Sequence, residues 1–202
     1  MGSASWVVGT ENVAEATQMP ILGKETSVFP DDLFERDFDE SSERVWRAAF
    51  TKSRQEKSLA RHLEASGIPF FLPLVSKDNR IRGKRVTSHI PLFTGYVFLH
   101  ATEDERVRSL TTNRISTILP VADQRQLFMD LRQVRQLIDI DAPLTVERRL
   151  VAGQRVCIKH GAMAGLEGTI TTRRGTARLL VAVQMLQSGV SVEIDDYMVE
   201  PL

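Results

Sequence analysis

The sequence predicts an α+β chain: an α/β sandwich around a mostly antiparallel sheet, followed by a small β-barrel. Three observations lead there. Between residues 44 and 140, strand-like apolar runs alternate with capped helical patterns in the order β-α-β-β-α-β-α. Beyond Pro143, short β-branched runs separated by glycines take over. Between them the pattern lapses in DIDAPLTVERR, which reads as a linker. The expected division is an N-terminal extension (1–43), a first domain (44–140), a linker (141–149) and a second domain (150–202). A 202-residue chain is long enough for self-sustaining cores.

Residues 1–43 carry ten acids against Lys24 and Arg36, with no sustained periodicity, and are expected to be largely disordered. Within them PILGKETSVFPDDLF (20–34) holds Ile21, Leu22, Val28, Phe29, Leu33 and Phe34, an apolar set suited to docking on the folded body or a partner. Trp46 opens a strand, WRAAFTKS. Ser53-Arg-Gln-Glu56 matches a capping box and starts a helix with Leu59 and Leu63 on one face and Gly67 at its end. IPFFLPLVS is strand-like, with Pro69 and Pro73 limiting its hydrogen-bonded length, and KDNRIRGK is expected to form the hairpin connection. Leu92 to Phe98 reads as a strand apolar on both faces: Leu92, Thr94, Tyr96 and Phe98 against Phe93, Gly95, Val97 and Leu99. Such a strand is covered on both sides by the chain's own helices, or on one side by a protein partner. Thr102-Glu-Asp-Glu105 is a second capping box, opening a short helix with Val107 and Leu110. ISTILPV is a strand. Asp123 caps a third helix with a Leu127, Leu131, Val134, Ile138 stripe. RVCIK, GTITT, RLLVAVQML and VSVEI supply the barrel strands.

The formal charge of zero hides an asymmetry, because residues 44–142 hold seventeen Lys and Arg against ten Asp and Glu. Lys77, Arg80, Arg82, Lys84 and Arg85 crowd one hairpin, opposed by Asp78: a solvated tip, or a contact for phosphates or an acidic protein surface. Cys157 is the single cysteine, so no intrachain disulfide forms and a buried thiol is expected. Neither a membrane-length apolar run nor a basic-then-apolar leader is visible, and a soluble, cytoplasmic monomer of a reducing compartment is expected. His62, His89, His100 and His160 are scattered, and Cys157 with His160 lacks further ligands, so no metal or other cofactor is expected. Asp31-Asp32 and Asp195-Asp196 are adjacent acids that a strand would turn to opposite faces. No nucleophile–base–orienter set emerges, so the chain does not read as an enzyme. Gly161, Gly165 and Gly168 do not follow the dinucleotide-binding spacing and fit a turn between strands.

RGKR, five residues, PLF and a GYVF-type ending, with WRAAFTKS upstream and HGAMAGLEGTI downstream, resemble the NusG family of transcription elongation factors. The resemblance covers residues 44–202 as an NGN domain followed by a KOW domain. It is closer to specialised paralogues typified by RfaH than to housekeeping members. It implies binding to the clamp helices of RNA polymerase through Trp46, Phe93, Tyr96 and Phe98, of which Tyr96 is the one expected at the surface. Thr111 and Thr112 would touch the far side of the polymerase cleft. Lys77, Arg80, Arg82, Lys84 and Arg85 would lie near nucleic acid in the transcription bubble. Met163 and Leu166 of the KOW turn would meet a second partner, ribosomal protein S10 or Rho in housekeeping members. The implied outcome is suppressed pausing or termination. KOW units also occur in ribosomal proteins, so a general RNA- or DNA-binding protein acting without polymerase is the alternative. The chain departs from the family pattern at Thr94, where many members have proline, and at Ala162 and Met163, where proline and an aromatic or leucine are usual.

Overall fold

The computed structural model describes residues 25–81, 84–149, 151–194 and 199–202. Residues 1–24, Arg82, Gly83, Leu150 and 195–198 lie outside that set, and with them Ile21 and Leu22 of the apolar set, the candidate cation Arg82 and the Asp195-Asp196 pair. Along the chain, β1 (Val28–Phe29) and β2 (Val45–Thr51) precede α1 (Glu56–Ala65). β3 (Phe70–Phe71) leads into β4 (Leu74–Ile81) and β5 (Lys84–Pro91). β6 (Tyr96–Ala101), α2 (Glu103–Leu110), β7 (Ile115–Leu119) and α3 (Gln124–Asp139) follow.

Five of these strands form one antiparallel sheet in the order β1-β3-β6-β2-β7. α1 buries Leu59 and Leu63 with Phe70, Val97 and Leu99 on one side. Leu127, Leu131 and Val134 of α3 share the other side's core with Trp46, Phe71 and Phe98. The central strand is therefore covered on both faces by its own chain over Val97–Leu99. It starts later than the apolar run suggests, however. Leu92 to Gly95 form a turn, and the strand begins at Tyr96. Tyr96 N–H donates to Phe93 O (3.1 Å), which closes that turn.

Local signals hold where nothing distant competes. The Thr102–Glu105 capping box forms in both directions, and Asp123 Oδ1 accepts from Gln126 N–H (2.8 Å). Ser66 ends α1 and Gly67 follows at φ +68°. The Ser53 box does not form: the helix starts at Glu56, whose Oε1 accepts instead from Gly95 N–H (2.8 Å). α2 is turned against its apolar residues. Glu105 and Ser109 are buried while Val107 and Leu110 are exposed. Arg44 holds both Glu105 oxygens (3.1 and 2.7 Å), so the charged pair and the cap set the helix's rotation.

Two regions expected to be irregular are ordered. The acidic extension docks from residue 25 onward: β1 pairs with β3, and Phe34 packs against Trp46, Phe71 and Phe128 at ring-centroid distances of 5.6, 5.0 and 5.8 Å. KDNRIRGK is mostly strand, since β4 and β5 pair residue for residue from Leu74↔Pro91 to Ile81↔Lys84.

The linker also contains a strand, β8 (Thr145–Glu147). After it come β9 (Arg155–Ile158), β10 (Glu167–Arg173), β11 (Thr176–Val183), a 3-10 turn (Gln184–Leu186), β12 (Ser188–Glu193) and β13 (Val199–Pro201). Where a small barrel is expected, these strands form an antiparallel sheet in the order β13-β9-β10-β11-β12-β8. α3 joins the two sheets. Asp130 Oδ2 accepts from Gln184 N–H (2.9 Å), Gln133 Oε1 accepts from Glu167 N–H (2.7 Å), and Gln136 Nε2 donates to Ala164 O (3.2 Å). Burial pushes the Asp130 carboxyl up to about 6, against the pull of its hydrogen bonds from Gln184 and Gln126.

Candidate functional site

The end of β2 gathers the candidate residues. Thr51 N–H donates to Gly95 O and Lys52 N–H to Arg114 O, both at 2.8 Å, so the Leu92–Gly95 turn and the loop after α2 flank one strand end. Gly95 has φ +85°, and a Cβ there would sit 2.8 Å from Phe50 Cε2. Glycine is needed twice over: for the left-handed backbone and for the ring beside it. Phe50 and Tyr96 are cross-strand partners whose rings tilt at 56° with centroids 5.2 Å apart. Phe50 is 39% exposed and Tyr96 half-buried. They share a sheet face with Trp46, Ala48 and Phe98, which are buried under the N-terminal segment and α3.

Beside the pair lies a cleft of about 710 Å³ lined by Ile90, Phe93, Tyr96, Leu144, Val146 and Leu186, among others. Ile90 and Val146 are 38% and 42% exposed. Both sheets and the ribbon thus contribute apolar side chains to one concave, open surface, which suits an apolar protein segment better than an enclosed small molecule.

The structure separates the expected contact residues into two kinds. Trp46, Phe93 and Phe98 are buried, at 1%, 5% and 0% exposure. They support the surface from beneath, with Phe93 edge-on to Phe98 at 6.2 Å. Tyr96 is half-buried and lines the cleft. Phe50 joins it, although sequence reasoning passes it over, because alternation from Trp46 places it on the same face as a core tryptophan. Its exposure is decided by where the covering elements end. Thr111 is exposed and Thr112 half-buried; Thr111 Oγ1 donates to Arg108 O (2.7 Å) and Thr112 Oγ1 accepts from Arg114 N–H (3.3 Å). Both hydroxyls are engaged in closing the loop.

Of the ribbon cations, Lys77, Arg80 and Arg85 are exposed, and Lys84 opens β5. Arg80 and Arg85 are directly opposite across the ribbon, and Arg85 pairs with Asp78. Hydrogen bonds from Arg85 and Thr87 hold the Asp78 carboxyl below the usual aspartate range. In the second sheet Leu166 is fully buried, so it is a core residue and not a contact. Met163 is half-buried against that core. Cys157 is half-buried, its Sγ 3.7 Å from Ile158 O. Among the described residues no three His, Cys, Asp or Glu gather as a metal site, and no helix is long and apolar enough to cross a membrane.

Two solved structures similar to this chain are both distant. One, NusG of Thermotoga maritima, solved in connection with its domain interaction, is 17% identical over 79% of this chain and 97% of its own, with a TM-score of 0.44. The other, from the MjSpt4:Spt5 complex, is 14% identical over 78% of this chain and 97% of its own, with a TM-score of 0.24. The family model described as transcription termination factor nusG matches residues 44–153. That match runs from β2 through α3 and past β8, more than half of the chain, and on it the protein belongs to the NusG family.

Proposed function

We propose that this protein is a transcription elongation or antitermination factor that docks on the clamp helices of RNA polymerase through the Phe50–Tyr96 surface. The observation that carries the reading is this aromatic pair: exposed Phe50 and half-buried Tyr96 on one sheet face, next to an open cleft lined in part by apolar side chains, with Gly95 and Glu56 closing the turn beside them. Trp46, Phe93 and Phe98 hold the pair in place. Amphipathic aromatics in a preformed concavity are characteristic anchors of protein interfaces. The loop with Thr111 and Thr112 extends the same strand end and offers a second contact. Binding that favours the closed polymerase disfavours the paused, opened one. A ten-fold reduction in pausing requires about 1.4 kcal/mol of preference for the closed state. The second sheet, through Met163 and its turn, recruits a further partner.

The test is binding to core RNA polymerase, with pausing assayed on one template. Phe50→Ala and Tyr96→Ala should each weaken binding about ten-fold or more while circular dichroism is unchanged. Wild-type affinity in both variants would remove the surface from the site. A second reading, nucleic-acid binding without polymerase, is favoured by the exposed Lys77, Arg80 and Arg85. Tight binding to free duplex or single strands, falling steeply with salt, would support it over the first.

A further inference from the structure

A second cavity, of about 240 Å³, lies at the other end of β2 from Phe50, where Trp46 and His100 are cross-strand partners. One wall is the N-terminal segment, through Leu33 and Phe38; the other is Trp46, His100 and Phe128. His100 stacks on Trp46 at 20° with centroids 4.9 Å apart, and Phe38 meets Phe128 at 5.7 Å. Residues 30–42, which form the first wall, precede the stretch matched by the family model, so family membership alone assigns this cavity no role.

Charge decides what the cavity would take. Two arginines line it and both are already engaged: Arg36 Nη2 donates to Asp32 Oδ2 (2.6 Å), and Arg44 holds both Glu105 oxygens. Asp37 and Asp39 line it too; both are exposed and, among the described residues, neither has an ion-pair partner. Hydrogen bonds from Ser41 hold the Asp39 carboxyl below the usual aspartate range, so it is ionised at neutral pH. His100 adds no compensating charge. Burial lowers its pKa from the usual histidine value, and its Nε2 lies 3.1 Å from Arg44 O, a carbonyl that only accepts, so the neutral ring donates there.

The mouth is therefore anionic over a floor of aromatic rings, which disfavours phosphates and with them nucleic acid. It favours a cation with a planar, weakly hydrated head. A guanidinium stacks on aromatic faces and pairs with carboxylates; an ammonium is a strongly hydrated point charge. The volume falls below the roughly 300–1,000 Å³ of sites for free small molecules and suits a single side chain.

We propose that this cavity is an anchor site for an arginine side chain carried by a basic segment of a partner protein. The guanidinium pairs with Asp37 and Asp39 at the mouth, and the stem lies against Phe38 and His100. The site is separate from the Phe50–Tyr96 surface and does not depend on the polymerase reading.

The experiment titrates the full chain with an end-capped Gly-Gly-Arg-Gly-Gly peptide, and with the same peptide carrying lysine or leucine in place of arginine. The readout is the Trp46 indole and His100 ring resonances. The expected result is a saturable shift of both with the arginine peptide, weaker affinity for the lysine peptide, and no saturable shift with the leucine peptide. The double variant Asp37→Asn, Asp39→Asn should weaken the arginine peptide about five-fold or more with the denaturant midpoint unchanged. If losing the Ser41 bonds to Asp39 destabilises that variant, Asp37→Asn alone carries the test, with a loss of about two-fold. No saturable shift at the highest soluble concentration of arginine peptide overturns the site. Equal affinity for the arginine and leucine peptides overturns the ligand, and wild-type affinity in the variants overturns the role of the two acids. The same shifts on concentrating the protein alone, abolished by Arg80→Ala with Arg85→Ala, would seat the ribbon of a second copy in the cavity and overturn the foreign partner.

Discussion

The N-terminal segment from residue 25 to 43 and the β4–β5 ribbon reverse what their compositions suggest. The first is acidic and contains Pro30, yet its Val28 and Phe34 are buried in the core of the first sheet. The second has two eight-residue strands in continuous register, yet beyond its root each strand pairs only with the other. The difference teaches that support comes from a few apolar side chains reaching an existing sheet, and that length of regular structure is no measure of it. Glu25, Asp32 and Glu40 of the N-terminal segment pair with Arg61, Arg36 and Arg125, and among the described residues none of its acids pairs with Lys77, Arg80 or Arg85.

The largest effect should separate the two regions by stability. Phe34→Ala removes a ring packed against three others and should destabilise the fold by about 3–5 kcal/mol, read from the denaturant midpoint. Ile90→Ala on the ribbon, at 38% exposure, should cost under about 1 kcal/mol. Equal losses would break the comparison. Deleting residues 1–43 should likewise destabilise the chain, since it removes β1 and the Phe34 packing. The ribbon's root is the exception that sharpens the contrast. Leu92 and Phe93 are buried there, and Gly95 has both a positive φ and Phe50 against it. Gly95→Ala should therefore destabilise by about 1–3 kcal/mol and shift the Phe50 ring, visible in its side-chain resonances.

These contrasts mark what was legible in the sequence. The caps at Thr102 and Asp123 and the Leu127–Val134 stripe were readable because each depends on residues within one or two helical turns. Ser53 failed because Glu56 is taken by Gly95, 39 positions away, and no local pattern announces that bond. The outward face of α2 was hidden for the same reason: Arg44, 61 positions from Glu105, fixes its rotation. Tyr96 was singled out by resemblance, and it lies half-buried beside the exposed Phe50. Phe50 was not, since exposure at the end of a strand depends on how far the covering elements extend.

Acid should divide the two regions further. Hydrogen bonds from Arg85 and Thr87 hold Asp78 on the ribbon low, and those from Ser41 hold Asp39 in the N-terminal segment low. A carboxylate whose folded pKa is depressed stabilises above its unfolded value and loses that contribution as pH falls through the folded one. For both groups the loss begins below about pH 4. The ribbon then loses a local cross-strand tie, whereas the N-terminal segment keeps its buried rings. Amide exchange, corrected for its intrinsic pH dependence, should rise in β4 and β5 as pH falls below about 4 and stay constant at Val28–Phe29. Parallel changes in both would show that the segment too is held by charge.

The smallest effect on stability should accompany a distinct effect on binding. Asp78 and Arg85 are both substantially exposed, and exposed ion pairs contribute little to folding. Asp78→Asn should leave the denaturant midpoint unchanged within error. It also removes a negative charge and frees the Arg85 guanidinium beside Arg80. If the ribbon meets phosphates, the variant should bind a single-stranded polyanion more tightly at low salt, with a salt slope steeper by up to about one unit. An unchanged slope would mean that Arg85 does not reach the backbone, leaving Arg80 as the described cation on that face of the ribbon and Lys77 on the other. A lowered midpoint would instead show that this pair supports the fold as a whole and not the ribbon alone, a support different in kind from the aromatic packing that holds Phe34.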